Sequence, residues 1–548
     1  SKMPVVTLYF GRLQKLLGKK TSQEKIISAL PFIGLDIEEQ AKDHISVEYS
    51  PNRPDYSTDY GIVSGLQGLL GIKTGMPKLK IKTGKYSIRV DSSVRKVRPF
   101  ITSIVAKNGK LDDETIRQII AMQEDLHNGI GRRRKKTSIG IHDLDKIKFP
   151  LTYTTVNKNH KFIPLASPSE MSISEILEKT DVGTKYGDIL GNSPKVPIIL
   201  DSTGNTISFP PIINSNLTTV SKNTKNLLVE VTAIDKNAAE DTLGVVANTL
   251  QNAGFTLFST KISGANNSTP LLNSRKMILE VDLVNKTLGL DLSPFTIVSS
   301  LRKSRLDAKP QGNKIMCTIP RYRTDIFGTM DLVEEVALGY GIQNLEPTIP
   351  QSVLAGQKNK ITKTLDSMSA IMVGLGYFEA MNFGLVSKEV QYDLTKRNSS
   401  KMISVADSKS QGHTILRDAM LPGLIDTLSR NIHETYPQRL FETGVVFSKV
   451  SNEIKEEIHL ACVCAHNDVS FSEMKSILQS VFKTGFGLQC TTQITTDPMF
   501  SEGRTADVMI NNKVVGVIGE ISPEIIDNFK LRIPVAGFEV KLTGLIFD

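Results

Sequence analysis

Four carboxylates fall within eleven residues of the stretch IPRYRTDIFGTMDLVEEVALGYG (319–341): Asp325, Asp331, Glu334 and Glu335. Like charges at this density repel, so a stable fold must place something among them. Leu332, Val333, Val336, Ala337 and Tyr340 recur at helical spacing, which predicts a short helix over 331–341. On it Asp331, Glu334 and Glu335 stand at i, i+3 and i+4 and are expected to share the polar face. Asp325 lies one loop earlier, after the strand-like run IMCTIPRY, and Gly328 lets that loop turn back. Three explanations are open. Acids in a first turn favour a helix start through the macrodipole. Arg321 and Arg323 can neutralise them. A hard divalent cation such as magnesium can bind them, since it uses one or two carboxylates and keeps several waters.

A chain of 548 residues has room for about four domains. Hydrophobic residues at 40% and charged residues at 22% are the balance of an ordinary globular protein. No apolar run is long enough to span a membrane, and the N-terminal SKMPVVTLYFGRLQKLLG lacks the pattern of a signal peptide. Cys317, Cys462, Cys464 and Cys490 form no zinc spacing or disulfide framework, so a reducing cytoplasm is expected. The net charge of +9 permits an RNA partner without requiring one.

Composition and turn signals divide the chain into an N-terminal domain (1–80), a second domain (85–265), a small module (268–345) and a C-terminal domain (355–548). In the first, a helix over 22–30 and a strand over 45–49 precede SPNRPDYSTDYGIVSGLQGLLG, where Asp55 or Ser57 is expected to cap a helix through Ile62, Leu66 and Leu69. The second contains GRRRKKTSIGIHDLDKIKFPLTY, five consecutive cations (132–136) followed by His142 and Asp143. Such a run is either a solvated loop or an RNA phosphate contact. No serine or cysteine nucleophile is implied beside His142, so a hydrolytic triad is unsupported.

The segment DSTGNTISFPPIINSN reads as a hairpin turn at 203–205 with an extended exit fixed by two prolines. The strand in NLLVEVTAID puts Glu230 and Thr232 on one face, where a mid-strand acid lies either against solvent or in a pocket. The small module has a helix-turn-helix look, with Ser293-Pro294 opening its second helix. A proline-punctuated linker (346–357) leads to alternating helices and strands, so an α+β domain with a mainly antiparallel sheet is expected there. Within it, Leu421, Leu424, Ile425 and Leu428 at helical spacing form either a partner-facing surface or internal core.

The stretches SPNRPDYSTDYGIVSGL, SIGIHDLDKIKFPLTY, SFPPIINSN, IPRYRTDIFGTMDLVEEVALGYG, TILRDAMLPGLIDTLSRN, RLFETGVVF and GRTADVMINNKVVGVIGEISPEII occur in an order that resembles the beta chains of phenylalanyl-tRNA synthetase, in their shorter archaeal and eukaryotic form. The resemblance runs from about residue 5 to the end. No inserted oligonucleotide-binding barrel or C-terminal ferredoxin-like anticodon module is expected in it.

The resemblance implies one subunit of an α2β2 ligase that joins phenylalanine to tRNA(Phe) with ATP through a phenylalanyl-adenylate, in the cytoplasm and away from membranes. It implies that the alpha subunit carries the aminoacylation site, so no catalytic residue for that step is expected in this chain. The C-terminal domain then resembles a degenerate class II synthetase domain. RLFETG (439–444) sits where an active copy has its ATP-gripping strand, and GRTADV leads into a strand where an active copy would have a Gly-rich segment ending in a catalytic arginine. The carboxylate set Asp325, Asp331, Glu334 and Glu335 matches one that the family associates with magnesium, with a structural role expected. The second domain resembles the family's editing domain, which hydrolyses tyrosyl-tRNA(Phe). A hydrophobic synthetic pocket rejects an added hydroxyl only about a hundredfold, which is why a second sieve is useful. Glu230 or Thr232 is the candidate contact for the tyrosine phenol, with Ser208 and Asn214 lining the pocket and His142 orienting water or the terminal ribose. Glutamate at 230 stands where the family more often has aspartate. The alternatives are an RNA-binding assembly subunit with an inactive pocket and, more remotely, a metal-dependent hydrolase built on the acidic cluster.

Overall fold

In the computed structural model, residues 4–263, 267–350, 354–406, 408, 410–451 and 453–547 are described. They form two compact units, Ser1–Ile349 and Pro350–Asp548. The expected linker at 346–357 includes 351–353, which lie outside the described residues. Among the described residues no helix is long and apolar enough to cross a membrane.

The first unit begins with a three-stranded antiparallel sheet (Val5–Tyr9, Leu35–Gln40, His44–Tyr49) whose apolar side chains meet those of the helix Asp59–Leu69. That helix is capped by Thr58, which accepts from the Gly61 amide, and not by Asp55 or Ser57. Both expected caps have other partners: Asp55 takes a two-bond ion pair from Arg53, and the Ser57 hydroxyl donates to the Pro54 carbonyl.

Next comes a ten-stranded mixed sheet. Next to one end of it, Leu227–Ala233 lies between two antiparallel neighbours, Phe100–Lys107 and Thr137–Asp143, and all seven residues of that strand are buried. Helices Asp113–Asn128 and Lys236–Asn252 supply the apolar side chains that cover one side. The 203–205 turn joins Lys195–Leu200 to Thr206–Phe209 as a hairpin, with Asp201 Oδ1 accepting from the Thr203 and Asn205 amides. Its exit, 210–218, leads to Ser215 and Thr218, both buried. A small module follows, with strands Arg275–Glu280, Asp307–Gln311 and Lys314–Ile319 and helices Val281–Leu288, Pro294–Lys303 and Thr329–Tyr340 around one core. Ser293 caps the second of these helices through the Thr296 amide.

The second unit is a seven-stranded sheet, antiparallel except where Phe378–Glu379 runs parallel to Gln438–Val450. Helices Lys360–Gly374 and Phe471–Phe486 pack on one core and Leu421–Arg430 on another. Leu421, Leu424, Ile425 and Leu428 are all buried in that internal core. GRTADV lies within the strand Phe500–Ile510.

Candidate functional site

An apolar cavity of about 530 Å³ lies beside the strand Thr137–Asp143. That strand ends the sheet, so one of its edges has no neighbouring strand. Side chains tend this edge instead. The Ile139 amide donates to His127 Nε2 (2.9 Å), and Gln123 Nε2 donates to the Ile139 carbonyl (2.8 Å). Ile116, Ile119, Ile139, Ile141, Ile212 and Val220 give the cavity apolar walls.

Polar side chains line it too, and the fully buried acid among them is Glu230. It is 1% exposed, and its strand register sets it opposite Gly140. A Cβ at Gly140 would lie 2.2 Å from Glu230 Oε1 and 2.6 Å from His142 Nε2. Glycine is therefore what lets both side chains approach across the edge strand. His142 Nδ1 stands 2.8 Å from Thr218 Oγ1, which in turn donates weakly to the Ser215 carbonyl (3.5 Å). That chain assigns the imidazole proton to Nδ1 and leaves Nε2 as an acceptor. Nε2 lies 3.7 Å from Glu230 Oε1, too far for a hydrogen bond. Both His142 Nε2 and Glu230 Oε2 are buried without a partner. Burying an unpaired carboxylate oxygen is costly, and Oε2 is left able to accept a hydrogen bond from a donor in the cavity.

The structure brings Glu230, Ser208 and Asn214 to this cavity and sets His142 against Glu230. Ser208 Oγ donates to Asn214 Oδ1 (3.2 Å), and Asn214 Nδ2 reaches the Ile141 carbonyl (3.5 Å). Thr232 is not among the lining residues. Its hydroxyl is held by Arg98 Nε and by Ser138 Oγ, each at 2.9 Å.

Arg98 is a buried arginine that sequence reasoning missed, because nothing in VRKVRPF marks it. It donates to the carbonyls of Thr232, Lys135 and Arg134. Burial pulls its guanidinium down to about 10, against the opposing pull of Tyr153 and Glu230. The two carbonyls it holds belong to the basic run. Arg132, Arg133 and Arg134 have φ of 48°, 54° and 65°, three successive residues in the left-handed region. Each costs roughly 1–2 kcal/mol there. The Arg134 amide on the His127 carbonyl and the Lys136 amide on the Gly131 carbonyl help to fix the turn.

Arg134 points into the cavity wall, donating to Glu124 Oε1 (2.8 Å) and the Ile212 carbonyl (2.9 Å) with its guanidinium 4.4 Å from the Tyr186 ring centre. Hydrogen bonding from His127, together with Arg134, outweighs burial and takes the Glu124 carboxyl down to about 2. The run is thus neither a wholly solvated loop nor a uniform patch. Arg134 faces inward, while Arg132 and Arg133 are exposed.

The acidic cluster resolves differently. Arg323, itself buried, forms a two-bond ion pair with Asp325 (2.9 and 2.7 Å) and a short contact to Glu335. Glu335 is buried, so it leaves the polar face expected for it. The cause is Arg323, which requires two carboxylates inside. Asp331 Oδ2 accepts from the Phe327 and Gly328 amides and so caps its own helix. Burial would raise the Asp325 carboxyl, yet Arg323 holds it below its ordinary value. Burial, and then Glu335, Asp325 and Asp331, raise that of Glu334. Arg53 adds a further cation to this seam. Glu334 and the second oxygen of Asp331 are the donors left without a partner among the described residues, and two carboxylates plus water suit magnesium.

Cys464, His466 and Glu473 are the one grouping, among the described residues, of three His, Cys or acidic side chains with donor atoms within 4.8 Å. His466 Nε2 pairs with Glu473 at 2.9 Å, and Arg439 approaches the same carboxylate at 3.7 Å, so ion pairing accounts for it. Burial also pushes the Cys464 thiol up, away from the thiolate a metal would need. Glu442 of RLFETG is buried and held by Arg417 and Asn382.

Comparison with known proteins decides the family. A B3/4 domain profile matches 83–247, a tRNA synthetase B5 domain profile 277–342, and the phenylalanyl tRNA synthetase beta chain CLM domain profile 345–542. The phenylalanine–tRNA ligase beta subunit of Archaeoglobus fulgidus is 39% identical over 551 residues, covering 100% of this chain and 99% of that one. The chain belongs to the phenylalanyl-tRNA synthetase beta chain family. The Methanosarcina barkeri ligase beta subunit is 38% identical over 549 residues, covering 99% of each. A crystal structure of an N-terminal fragment of the phenylalanyl-tRNA synthetase beta subunit from Pyrococcus horikoshii aligns with a TM-score of 0.59 at 30% identity, over 62% of this chain and 99% of that one. As a family member the chain is a subunit of an aminoacyl-tRNA ligase. The cavity and Glu230 fall within the B3/4 match, and the acidic cluster within the B5 match.

Proposed function

We propose that the cavity beside Glu230 is an editing site that hydrolyses tyrosyl-tRNA(Phe), and that the chain works with an alpha subunit that charges tRNA(Phe) with phenylalanine using ATP. One observation carries the editing reading: a buried, unpartnered carboxylate oxygen, Glu230 Oε2, in a cavity with largely apolar walls. A tyrosine phenol supplies the missing donor. Phenylalanine leaves Glu230 unpaired and enters at a penalty, which reverses the preference of a hydrophobic synthetic pocket. In this reading His142, an acceptor beside Glu230, serves the phenol end of the cavity. Ser208 and Asn214 line the wall, and Thr232 acts indirectly by fixing Arg98 and Ser138. Hydrolysis then uses a positioned water, which adds to the ester carbonyl while the ribose hydroxyl leaves.

That relatives are beta subunits of phenylalanine–tRNA ligase supports the alpha partner, and action in the cytoplasm goes with this reading. A partner-facing surface on the second unit is supported by Phe378, Met381 and Phe383, which are 76%, 95% and 75% exposed. Magnesium at the acidic cluster would be held by Glu334 and Asp331, with a structural role. The C-terminal unit performs no adenylation in this reading, because Glu442 is tied internally.

Deacylation of tyrosyl- and phenylalanyl-tRNA(Phe) by the chain, alone and with an alpha subunit, tests the proposal. Glu230→Ala is expected to slow tyrosine release about ten- to a hundredfold, the ~1.5–3 kcal/mol of a hydrogen bond to a charged acceptor, while phenylalanine charging stays intact. Equal loss for both substrates, or none for either, overturns the assignment.

A further inference from the structure

We propose that the left-handed arginine turn at 131–136 is a docking element for the phosphates of an RNA 3′ strand, seating its ester-bearing end at the mouth of the cavity. The proposal rests on the editing reading for the identity of the RNA and adds the residues that hold it.

Three observations meet at this turn. Arg132, Arg133 and Lys135 are exposed and have no acidic partner among the described residues, although the ion pairs Arg134–Glu124 and Lys136–Asp235 flank them. The backbone is strained at all three arginines, where glycine or asparagine would be at ease. Arg98, buried beneath, uses two of its donors to hold the carbonyls of Arg134 and Lys135. Strain kept in place by a buried cation is not how a solvated loop is made. It fixes where side chains point.

The turn also bridges to the cavity. Arg134 lines it and clamps the Ile212 carbonyl, so the exposed Arg132 and Arg133 directly precede a residue of the cavity wall. Phosphates are the ligand that fits. Arg132 and Arg133 offer planar, multi-donor cations free for a polyanion, and an RNA strand entering a cavity tip-first presents phosphates next to its last base.

The test uses the full chain and a tRNA(Phe) transcript, compared with the same transcript lacking its single-stranded 3′ end. Arg132→Gly together with Arg133→Gly removes both charges and relieves the strain. Arg132→Gln with Arg133→Gln removes the charges but keeps side-chain bulk, in case glycine loosens the turn. Both pairs should weaken binding of the intact transcript. The slope of log affinity against log salt should become shallower by roughly 1.4, two contacts at about 0.7 each for a single strand. Arg132→Lys with Arg133→Lys should retain most of the binding. The truncated transcript should already bind weakly and respond little.

Unchanged affinity in both charge-removing pairs overturns the proposal. So does an equal loss on intact and truncated RNA, which places the contact elsewhere. Failure of the editing reading is distinguishable. A parent chain that hydrolyses no tyrosyl-tRNA, yet loses end-dependent affinity in these variants, keeps the docking element and loses the sieve.

Discussion

Two regions of the first unit bury carboxylates, and they do so for opposite ends. Between 325 and 335 four acids crowd together, yet three have protein partners: Asp325 and Glu335 on Arg323, and Asp331 on backbone amides. In Leu227–Ala233 a single acid stands alone, and Glu230 Oε2 has no partner. Acid density in sequence is therefore a poor guide to where a ligand is needed. A buried arginine gathers carboxylates as readily as a metal does, because each needs the other to leave water. The candidate place for a ligand is the one where a buried carboxylate oxygen has no hydrogen-bond partner.

Breaking the satisfied region should cost the most. Arg323→Met leaves Asp325 and Glu335 buried without the cation that pairs with both, which typically costs about 3–5 kcal/mol. Unfolding by urea at pH 7 measures it. The pH dependence then identifies the cause. In the parent, Asp325 sits below its unfolded value, so its stabilisation is present above the unfolded value and is lost as pH falls through the folded one. In the variant, burial is left to raise the Asp325 carboxyl, the folded state binds a proton more readily, and stability should rise as pH falls from 7 towards 4. A deficit that stays constant over that range would mean the loss is one of packing and not of charge.

The unsatisfied region should respond in function and little in stability. Glu230→Asp keeps the charge but withdraws it by one methylene. Tyrosine release should persist at a reduced rate, well above that of Glu230→Ala, and near-parental deacylation would show that the cavity tolerates either acid. Gly140→Ala reaches the same pair from the opposite strand. Its methyl must displace Glu230 Oε1 and His142 Nε2. Because those atoms end side chains, and Glu230 faces a cavity, the fold should survive within about 1 kcal/mol of the parent. Tyrosyl-tRNA hydrolysis should fall at least tenfold. Intact editing in Gly140→Ala would place the phenol subsite away from this edge.

Most of the secondary structure was legible because it rests on local pattern. Ser293-Pro294 opens a helix as expected, the 203–205 hairpin forms around Asp201, and the 331–341 helix is found as Thr329–Tyr340. The failures share one cause, competition for partners that spacing along an element does not show. Asp55 looked like a cap until Arg53 claimed it, and Glu335 looked solvent-facing until Arg323 drew it inward. Leu421 to Leu428 gave an apolar stripe, but spacing does not say whether the stripe meets its own core or a partner, and here it meets its own core. At the cavity, Glu230 stood out as a mid-strand acid, while Arg98, Glu124 and His127 carried no local signal. Their roles arise only when helix Asp113–Asn128 lies along the free edge of the sheet.

The smallest effect sharpens the comparison from inside the acidic cluster. Glu334 is its one carboxylate without a partner among the described residues, and burial, then its acidic neighbours, raise its carboxyl above the ordinary value. In metal-free buffer at pH 7, Glu334→Gln removes like-charge repulsion and should stabilise the chain by about 0.2–0.5 kcal/mol. A raised folded value means the repulsion is present when the group is ionised and disappears as pH falls through that value, so the gain should fade towards pH 4. Added magnesium should reverse the order. An ion held partly by Glu334 stabilises the parent in proportion to its occupancy, and the glutamine variant, with a weaker ligand, should gain less. Melting curves of both proteins across a magnesium titration read the two effects separately. Parallel shifts in parent and variant would remove magnesium from this cluster and leave Arg323 and the helix cap as the whole reason four acids stand together.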